Sequence, residues 1–335
     1  MKKIFFLLAT LLVSISSFAL SDMVSVDFPA GSRTVPIEDL KDMYYSNTKD
    51  SLFLVLEDTT YAFKADSSLH VAFLDSIEGQ HKREREALIA FYKALDGDNW
   101  TNNENWCSDK PLSEWYGIQV DEDGYIQNIW LDMNNLSGEI PKDIALLRSL
   151  VYLSLGENHN ITSVTDYISK LSMLRTLRLP KVKYLPESIF SMKSIEELML
   201  YLPDSHFSID LGDFERLVNL EIAANKSSFP ANINKAKNLT NLSLLGFCGR
   251  FPDLSGLTEL YQLHIGNCVI EDEISTNWDG FDNLTNVYIS NNVLTSKIPS
   301  NLFLLPNLRD LELRNNQLEG ELPVEFANYM SNDVG

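Results

Sequence analysis

The residues best suited to chemistry lie together in one stretch, DNWTNNENWCSDKPLSEWYGI, which runs from Asp98 to Ile118. It holds three of the five tryptophans of the chain and one of its three cysteines, with carboxylates and amides between them. Aromatic rings beside polar groups can form a ligand pocket, and a cysteine among carboxylates can form a catalytic patch. Tryptophans can equally cover a hydrophobic core, so the elements that position this stretch must decide between these functions.

Other residue types that catalyse reactions or bind metals are scattered along the sequence. The histidines do not occur at metal-ligand spacing; they are His70, His81, His159, His206 and His264. No zinc-protease, hydrolase, dinucleotide-binding or phosphate-binding motif occurs. The run from Asp121 to Gly124 begins like a calcium loop but lacks the terminal glutamate, which favours a hairpin turn. We therefore expect no catalytic residue, no metal site and no cofactor, and we predict that the protein is not an enzyme.

The chain is strongly acidic, with a formal net charge of −20 over 335 residues. Binding of nucleic acid depends on clustered lysines and arginines that release counterions from phosphates, so a nucleic-acid partner is not expected. The same charge disfavours attachment to anionic membrane surfaces. Acidity alone does not identify a partner, because it also serves simply to keep a protein soluble.

Residues 1–19 have the three-part organisation of a secretory signal peptide. Two lysines near the N-terminus precede an apolar segment, Ile4 to Val13, and the small-x-small sequence SFA ends at Ala19. The apolar segment is short for a membrane span and no later segment is long and apolar enough, so membrane insertion is not expected. The sequence therefore predicts a protein exported to the periplasm, the cell surface or the medium.

The dominant signal is an internal repeat, L-x-x-L-x-L-x-x-N, which occurs nine times at intervals of 21 to 24 residues. We call the residues at its asparagine position the ladder residues. They are Asn134, Asn158, Asn225, Cys268, Asn292 and Asn316. In the remaining copies, Val182, Pro203 and Phe247 replace the asparagine.

This spacing has a direct physical consequence. The central L-x-L segment is a short strand whose leucines face one side and whose x residues face the other. One such unit cannot bury its apolar face alone, but stacked units form a parallel sheet over a continuous leucine core. Each asparagine turns inward after its strand, where its amide can satisfy backbone groups at the bend.

Three copies share the continuation N-x-L-x-G/S-x-I/L-P, in segments that run from Asn134 to Leu150, from Asn291 to Leu308 and from Asn315 to Tyr329. The sequence here resembles the leucine-rich repeat family, and specifically its plant-type class with the signature L-x-G-x-I-P. The resemblance implies a right-handed α/β solenoid of about nine repeats over residues 126–329, with a parallel sheet on its concave face and a short tail at 330–335. It also implies recognition of proteins, peptides or cell-wall polysaccharide.

The segment before the repeats, residues 81–125, has the elements of a cap. Leu88, Phe91, Tyr92 and Leu95 share one face of an amphipathic helix that Gly97 is expected to stop, and a hairpin follows around residues 123–124. A solenoid needs such a unit to cover its first leucine layer. The arrangement resembles the N-terminal cap of the plant-type class, whose tryptophans would then be structural.

The cysteines leave two further expectations. The family cap often carries a cysteine pair, but Val120 stands where the partner of Cys107 would fall, so Cys107 is expected to be unpaired and buried. A disulfide between Cys248 and Cys268, in neighbouring copies, is left open because spacing does not fix the directions of their β-carbons. Residues 20–80, which the repeat does not explain, are predicted to form a small β-rich extension with strands at 52–56, 61–64 and 70–73.

The outward x residues of the strands form columns on the concave face. Aromatic and methionine side chains in these columns have no core to fill, and such residues are enriched in binding hot spots. The candidate ligand-binding residues are Arg178, Met199, Tyr201, His264 and Tyr288. The sequence favours a non-enzymatic, exported module that binds a protein or peptide at this face. Three alternatives stay open. The first is a glycan stacked on Trp130, Tyr201 and Tyr288. The second is that Trp130 packs on the cap and the other residues are scattered over the surface without a ligand, and the third is an enzyme with unusual carboxylates.

Overall fold

The computed structural model describes residues 23–28, 31–36, 40–46, 51–56, 60–64, 70–74, 77–202, 209–212, 214–274, 277–327 and 329. The predicted signal peptide (1–19), the substituted ladder position Pro203 and the tail (330–335) lie outside these residues. The chain divides into two compact units, with the boundary between Glu84 and Arg85.

In its described residues before Ile77, the first unit consists of antiparallel β-structure. Its six strands are β1 (Met23–Phe28), β2 (Gly31–Pro36), β3 (Leu40–Ser46), β4 (Ser51–Leu56), β5 (Thr60–Lys64) and β6 (His70–Leu74). They form two three-stranded sheets, with the orders β2-β1-β6 and β3-β4-β5. The three segments predicted as strands from the sequence correspond to β4, β5 and β6. Val26 and Val35, on paired strands, are buried.

Helix α1 (Ile77–Ala94) spans the boundary and continues into the second unit. Leu88, Phe91 and Leu95 are fully buried, as expected for one face of an amphipathic helix, whereas Tyr92 is half-buried. Two short 3₁₀ helices, Gly97–Asn99 and Leu112–Glu114, lead from α1 to the hairpin.

The predicted hairpin is formed by β7 (Ile118–Val120) and β8 (Ile126–Trp130), which are antiparallel. Gly124 has a φ of 89°, which suits glycine at this turn. The carboxylate of Asp121 accepts hydrogen bonds from the backbone N–H groups of Asp123 and Tyr125. Asp121 therefore stabilises the hairpin turn of which it is part.

The second unit contains one ten-stranded sheet in which β8 and eight later strands are parallel and β7 is the antiparallel edge. The later strands are β10 (Tyr152–Ser154), β12 (Thr176–Arg178), β13 (Glu197–Tyr201), β14 (Asn219–Ala223), β15 (Asn241–Leu245), β17 (Gln262–Gly266), β19 (Asn286–Tyr288) and β20 (Asp310–Glu312). Nine parallel strands in chain order agree with the nine copies of the sequence repeat. The leucine-rich repeat solenoid is thereby confirmed.

Short strands and 3₁₀ helices return the chain behind this sheet. The strands are β9 (Ser137–Glu139), β11 (Asn160–Ser163), β16 (Cys248–Gly249) and β18 (Val269–Ile270), and they pair as β9-β11 and β16-β18. The 3₁₀ helices are Lys142–Leu146, Asp166–Lys170, Glu187–Ser191, Ile233–Lys235 and Ser300–Leu304. Three of them begin directly after a proline, because proline fixes the extended backbone from which each helix starts.

The core is the continuous leucine layer that the repeat requires. Within the five-residue strands β13, β14 and β15 the burial alternates, as in β14, where Leu220 and Ile222 are buried and their neighbours are half-exposed. The same leucine positions are at most 2% exposed in β10 and β15. Burial of a full leucine side chain contributes roughly 2 kcal/mol, so stacking supplies most of the stability of a solenoid.

The ladder residues turn inward after a residue in the left-handed backbone region. Asn158 is 1% exposed and follows Glu157, whose φ is 56°. The amide of Asn158 donates to the carbonyl oxygens of Leu131 and Leu155, each at 2.8 Å. Its Oδ1 accepts the N–H of Asn134 at 3.0 Å, so the asparagine joins two copies of the repeat. Asn134, Asn292, Asn316 and Cys268 each follow a left-handed residue in the same way.

The ladder assignment of Asn225 is wrong. Asn225 is exposed, and Ser227 is fully buried in its place. The left-handed residue of this copy is Lys226, with a φ of 61°, so the bend occurs two residues later than the repeat pattern predicts. Ser228 pairs with Cys248, which confirms that Ser227 is equivalent to Phe247. The repeat pattern is misleading here because an asparagine stands at the expected ladder position, whereas the backbone bends two residues later.

Candidate functional site

The tryptophan-rich stretch forms a packed cluster against α1. Trp100, Trp106 and Trp115 are 6%, 7% and 2% exposed. The ring centroids of Trp100 and Trp106 are 4.9 Å apart, and those of Trp106 and Trp115 are 5.2 Å apart. Rings at these separations and depths have no free face for a ligand. The three rings therefore belong to the same buried core as Ile126, Ile129 and Leu131 of the first repeat.

Hydrogen bonds connect this cluster to the first repeat. The indole N–H of Trp100 donates to the carbonyl oxygen of Leu95 at 2.8 Å, which fixes the end of α1. The backbone N–H of Asn102 donates to the side-chain oxygen of Asn134 at 2.7 Å, and the Asn134 amide donates back to the carbonyl of Asn102 at 2.9 Å. The first ladder asparagine thus binds the cap as later ones bind the preceding repeat.

Two details of the cap differ from the sequence prediction. Cys107 is unpaired but exposed. Trp106 takes the inward position, and the left-handed φ of 60° at Cys107 directs the cysteine side chain outward. Partial desolvation of the sulfur raises the pKa of the Cys107 thiol, although the residue as a whole is exposed.

The left-handed residue that ends α1 is Asp96 rather than Gly97. Gly97 is nevertheless required for space, because a β-carbon there would collide with the ring of Tyr92.

Cys248 and Cys268 are both free. The strands β16 and β18 pair Cys248 with Val269, the residue after Cys268. Val269 is exposed and Cys268 is buried, so the two cysteines point to different sides of the layer. The Cys268 sulfur contacts the carbonyl oxygen of Gly266 at 3.2 Å, and burial raises the pKa of its thiol to about 11. The disulfide that the sequence left open does not form.

The strand register places the outward residues in three columns on the concave face. The central column follows β8 to β20 without interruption: Trp130, Ser154, Arg178, Met199, Glu221, Ser243, His264, Tyr288 and Glu312. A second column lies two residues further along each strand and includes Tyr201. The candidate residues therefore share one face, as their spacing predicts.

The register divides the candidate residues into two groups. Arg178 and Met199 lie directly opposite each other on β12 and β13, with Tyr201 two residues beyond Met199. His264 and Tyr288 are opposite each other on β17 and β19, and their rings make an edge contact with centroids 6.1 Å apart. Three strand steps of about 4.8 Å separate Met199 from His264, so the groups are about 14 Å apart.

A groove of about 470 Å³ is lined by Arg178 and Met199 of the first group and extends along the sheet to Gln262, on the same strand as His264. Its lining adds a third column, two residues before the central one, which the sequence analysis did not single out. This column presents consecutive amides on β14, β15 and β17: Asn219, Asn241 and Gln262. The alternation that revealed the other columns also predicts this one, because the residue two positions before an outward residue faces outward as well.

Hydrogen bonds occupy only part of this amide column. The side-chain oxygen of Asn241 accepts the Thr240 hydroxyl at 2.8 Å. The side chains of Asn219 and Gln262 make no hydrogen bond to any residue that the structure describes. Both amides are half-buried at the groove, where they offer free donors and acceptors to a ligand.

The charges of the concave face are unequal. Its two guanidinium groups are both neutralised: Arg178 contacts Glu197 at 3.2 Å, and Arg314 contacts Glu312 at 2.7 Å. The carboxylate of Glu221 has no ion-pair or hydrogen-bond partner among the described residues. Burial raises the pKa of the nearby Tyr201 hydroxyl, and the carboxylates of Glu157 and Glu221 raise it further. The middle of the groove is therefore an anionic environment.

An exposed aromatic pair lies near the cap end of the same face. Trp130 is 63% exposed and its ring centroid is 5.8 Å from that of Tyr152 on the next strand. The Trp130 indole N–H donates to Asp132 at 2.9 Å, and the hydroxyl of Ser154 donates to the same carboxylate at 2.6 Å. These bonds hold the indole in one orientation although most of its surface is exposed.

The described residues hold neither a cluster of metal-binding side chains nor a helix suited to a membrane. No group of three or more histidine, cysteine, aspartate or glutamate side chains is arranged to hold a metal ion. None of the helices in the described segments combines the length and the apolar character that a membrane crossing requires.

Comparisons with known proteins agree with this architecture. Residues 129–325 match the family model described as a leucine-rich repeat region. Among solved structures, the ectodomain of the Arabidopsis thaliana receptor kinase GASSHO1/SCHENGEN3 is 22% identical, with a TM-score of 0.55 over 75% of this chain. The Arabidopsis receptor kinase HAESA ectodomain is 23% identical, with a TM-score of 0.59 over 76% of this chain.

The likeness to these receptors concerns the fold. This chain spans 34% of the GASSHO1/SCHENGEN3 chain and 44% of the HAESA chain, so it matches less than half of either. The family model, by contrast, covers more than half of this chain, and its match coincides with the parallel strands. The chain belongs to the leucine-rich repeat family.

Proposed function

We propose that this protein is a non-enzymatic recognition module that binds a protein or peptide ligand through its concave face. One observation carries the proposal: the three outward columns form a continuous surface that holds all five candidate residues, two of which, Arg178 and Met199, line a groove of about 470 Å³. Methionine, tyrosine and free amides on such a surface provide both apolar contact area and hydrogen bonds. The chemistry-bearing groups are spread along columns rather than converging on one point, which favours recognition over catalysis.

The structural relatives support this proposal. The HAESA ectodomain was solved with an N-terminally extended IDA peptide hormone, and GASSHO1/SCHENGEN3 was solved with CASPARIAN STRIP INTEGRITY FACTOR 2. A parallel, curved sheet of the same family in this chain offers an extended surface of the same kind. The residues that contact the ligand are proposed from the geometry of this chain alone.

The test is recovery of partners on the immobilised protein. Changing Tyr201 and Tyr288 to alanine removes one aromatic side chain from each group of candidate residues, and we expect loss of the bound partner. The control changes Tyr167 and Tyr261, which are 52% and 51% exposed and lie outside the three columns. Equal recovery by both double variants would refute the assignment of these tyrosines to the binding surface.

A glycan ligand is the second candidate, because the exposed indole of Trp130 is held in one orientation like a stacking platform. However, Trp130, Tyr201 and Tyr288 do not lie on adjacent strands. Three strand steps separate the first two, about 14 Å, and four separate the last two, about 19 Å. The rings would therefore have to contact separate sugar units. A glycan array probed with the wild-type protein and with Trp130→Ala tests this candidate, and an absence of signal would dismiss it.

Export forms part of the proposal. Residues 1–19 carry the signal-peptide pattern, and cleavage after Ala19 would leave a protein that begins at Leu20. The intact mass of the exported product measures this directly. A mass that retains residues 1–19, or a product that stays entirely inside the cell, would contradict the proposal.

A further inference from the structure

We infer that the ligand of the concave face is an extended, basic peptide that places two cationic side chains on it, one at Trp130 and Tyr152 and one at Glu221. This inference rests on the proposed function and specifies its ligand. It commits to positive charge, to an extended conformation and to a spacing between the two cations.

The positive charge of the ligand follows from the carboxylates of the concave face that have no cationic partner among the described residues. Both guanidinium groups are already paired with carboxylates of the same face. Glu221 faces the groove without a polar partner among the described residues, and Asp310 at the far edge has only an amide partner, Asn286, at 2.7 Å. The whole chain carries a net charge of −20, which adds a long-range attraction for cations. An acidic ligand would meet repulsion from Glu221, from Asp310 and from the net charge of the chain.

The aromatic pair provides the first cation subsite. Indole is the best aromatic partner for an ammonium or guanidinium group, and the Trp130 ring is 63% exposed beside Tyr152. Asp132 holds the indole N–H, which fixes the ring and places a carboxylate close to its edge. A lysine or arginine side chain lying on this ring would have an aromatic surface below it and a negative charge beside it.

Glu221 provides the second subsite, in a setting suited to a peptide. Asn219 and Gln262, whose amides are free among the described residues, line the same groove. Amide side chains offer a donor and an acceptor together, which matches the N–H and C=O groups of a peptide backbone. A basic side chain would therefore pair with Glu221 while its own backbone bonds to the amides.

The distance between the subsites sets the spacing of the cations. Trp130 and Glu221 belong to the same column and are four strand steps apart, about 19 Å. An extended chain advances about 3.3 Å per residue, so the two cationic residues should be about six positions apart.

The experiment is selection from a random peptide library, displayed with about 12 variable positions so that an extended peptide spans both subsites. The purified full chain is the bait, and the double variant Trp130→Ala/Glu221→Gln is the counter-selection bait. We expect the enriched peptides to carry lysine or arginine at two positions about six apart. Synthetic copies should bind roughly tenfold more weakly to either single variant, and more weakly at high salt than at low salt.

The controls separate this inference from the proposed function. Glu259→Gln removes an exposed carboxylate outside the columns and should leave the affinity unchanged. Enrichment of neutral or acidic peptides that still require Tyr201 and Tyr288 would overturn the basic ligand and retain peptide recognition. Failure to enrich any peptide, together with binding to a glycan array, would overturn both. Both changed side chains are at the surface, so an unchanged unfolding midpoint verifies that the variants fold.

Discussion

The side-chain nitrogen of Asn158 donates a hydrogen bond to the carbonyl oxygen of Leu131, 27 residues earlier, across 2.8 Å. The same separation of 27 residues recurs for Asn292 with Ile265 and for Asn316 with Ile289. A bond of this kind reaches from one repeat into the preceding one, in the space where a bend leaves backbone groups unpaired. These asparagines are therefore connectors between repeats as well as turn residues.

The first prediction concerns this connection. Asn158→Ala should lower the free energy of unfolding by about 3 kcal/mol, because it leaves several buried backbone groups without a partner. Asn225→Ala should change it by less than about 0.5 kcal/mol, since Asn225 is exposed. Urea denaturation of both variants measures the difference. Equal losses would contradict the correction that places Ser227 in the ladder.

The displaced bend can be tested independently at Lys226. A lysine with a φ of 61° carries the strain that glycine avoids, so Lys226→Gly should raise the free energy of unfolding by about 1 kcal/mol. Lys237→Gly is the matched control, because Lys237 is also exposed and does not have a left-handed φ. It should be neutral or destabilising. Destabilisation by both changes would show that Lys226 does not occupy the left-handed position.

The cap tryptophans should differ in their tolerance of phenylalanine. The Trp106 indole N–H donates to the carbonyl of Tyr116 at 2.9 Å, whereas the buried indole nitrogen of Trp115 has no hydrogen-bond partner in the part of the chain that the structure describes. Trp106→Phe should therefore cost about 1 kcal/mol more than Trp115→Phe, in addition to the lost ring area that both share. Thermal unfolding followed by circular dichroism measures both, and a larger loss for Trp115→Phe would argue against this hydrogen-bond pattern.

The three thiols should react with maleimide at different rates in the native protein. Cys107 is exposed and should be modified first, while Cys268 is 3% exposed and should react only after unfolding. Mass spectrometry of labelled peptides assigns each site. Cys107→Ser should remove the fast phase. Modification of native Cys268 as rapidly as Cys107 would refute the inward placement of the ladder cysteine.

The raised pKa of Cys268 leads us to expect that the free energy of unfolding falls at alkaline pH. Its folded pKa of about 11 lies above the ordinary value of 9.0, so the folded state favours the protonated thiol. This contribution is complete below pH 9 and is lost as the pH rises towards 11, because the unfolded chain ionises first. The loss is on the order of 2 kcal/mol. Denaturation midpoints at pH 9 and pH 11 measure this loss of stability. We expect a smaller loss in Cys268→Ala than in the wild-type protein. An identical loss in both proteins would show that this thiol does not cause the effect.

The sequence was sufficient for the features that follow from periodicity. Alternation placed Arg178 beside Met199 and His264 beside Tyr288, because parallel strands of one repeat stay in register. The same alternation also places Asn219, Asn241 and Gln262 in one column. Residue type alone does not distinguish Asn219 from an ordinary surface residue. Side-chain hydrogen bonds between columns, such as that from Trp130 to Asp132, depend on rotamers that no spacing reveals.

The errors of the sequence analysis arose where backbone conformation opposed residue type. Cysteine is usually buried, yet a left-handed φ directs Cys107 outward. Asparagine favours ladder positions, yet the bend passes Asn225 and Ser227 turns inward. Lysine gives no hint of a left-handed φ, so nothing in the sequence around Lys226 marks the true bend. Local dihedral angles, rather than hydrophobic pattern, decide such positions.

The two additional residues at the Lys226 bend leave β14 and β15 paired over their full length, from Asn219 with Asn241 to Ala223 with Leu245. Length variation is thus absorbed at the rim of the solenoid before it reaches the outward columns. A lineage could gain or lose residues at such bends while every outward side chain kept its neighbours. Evolution of the outward face by substitution, and of the solenoid by insertion, can therefore proceed separately in this protein.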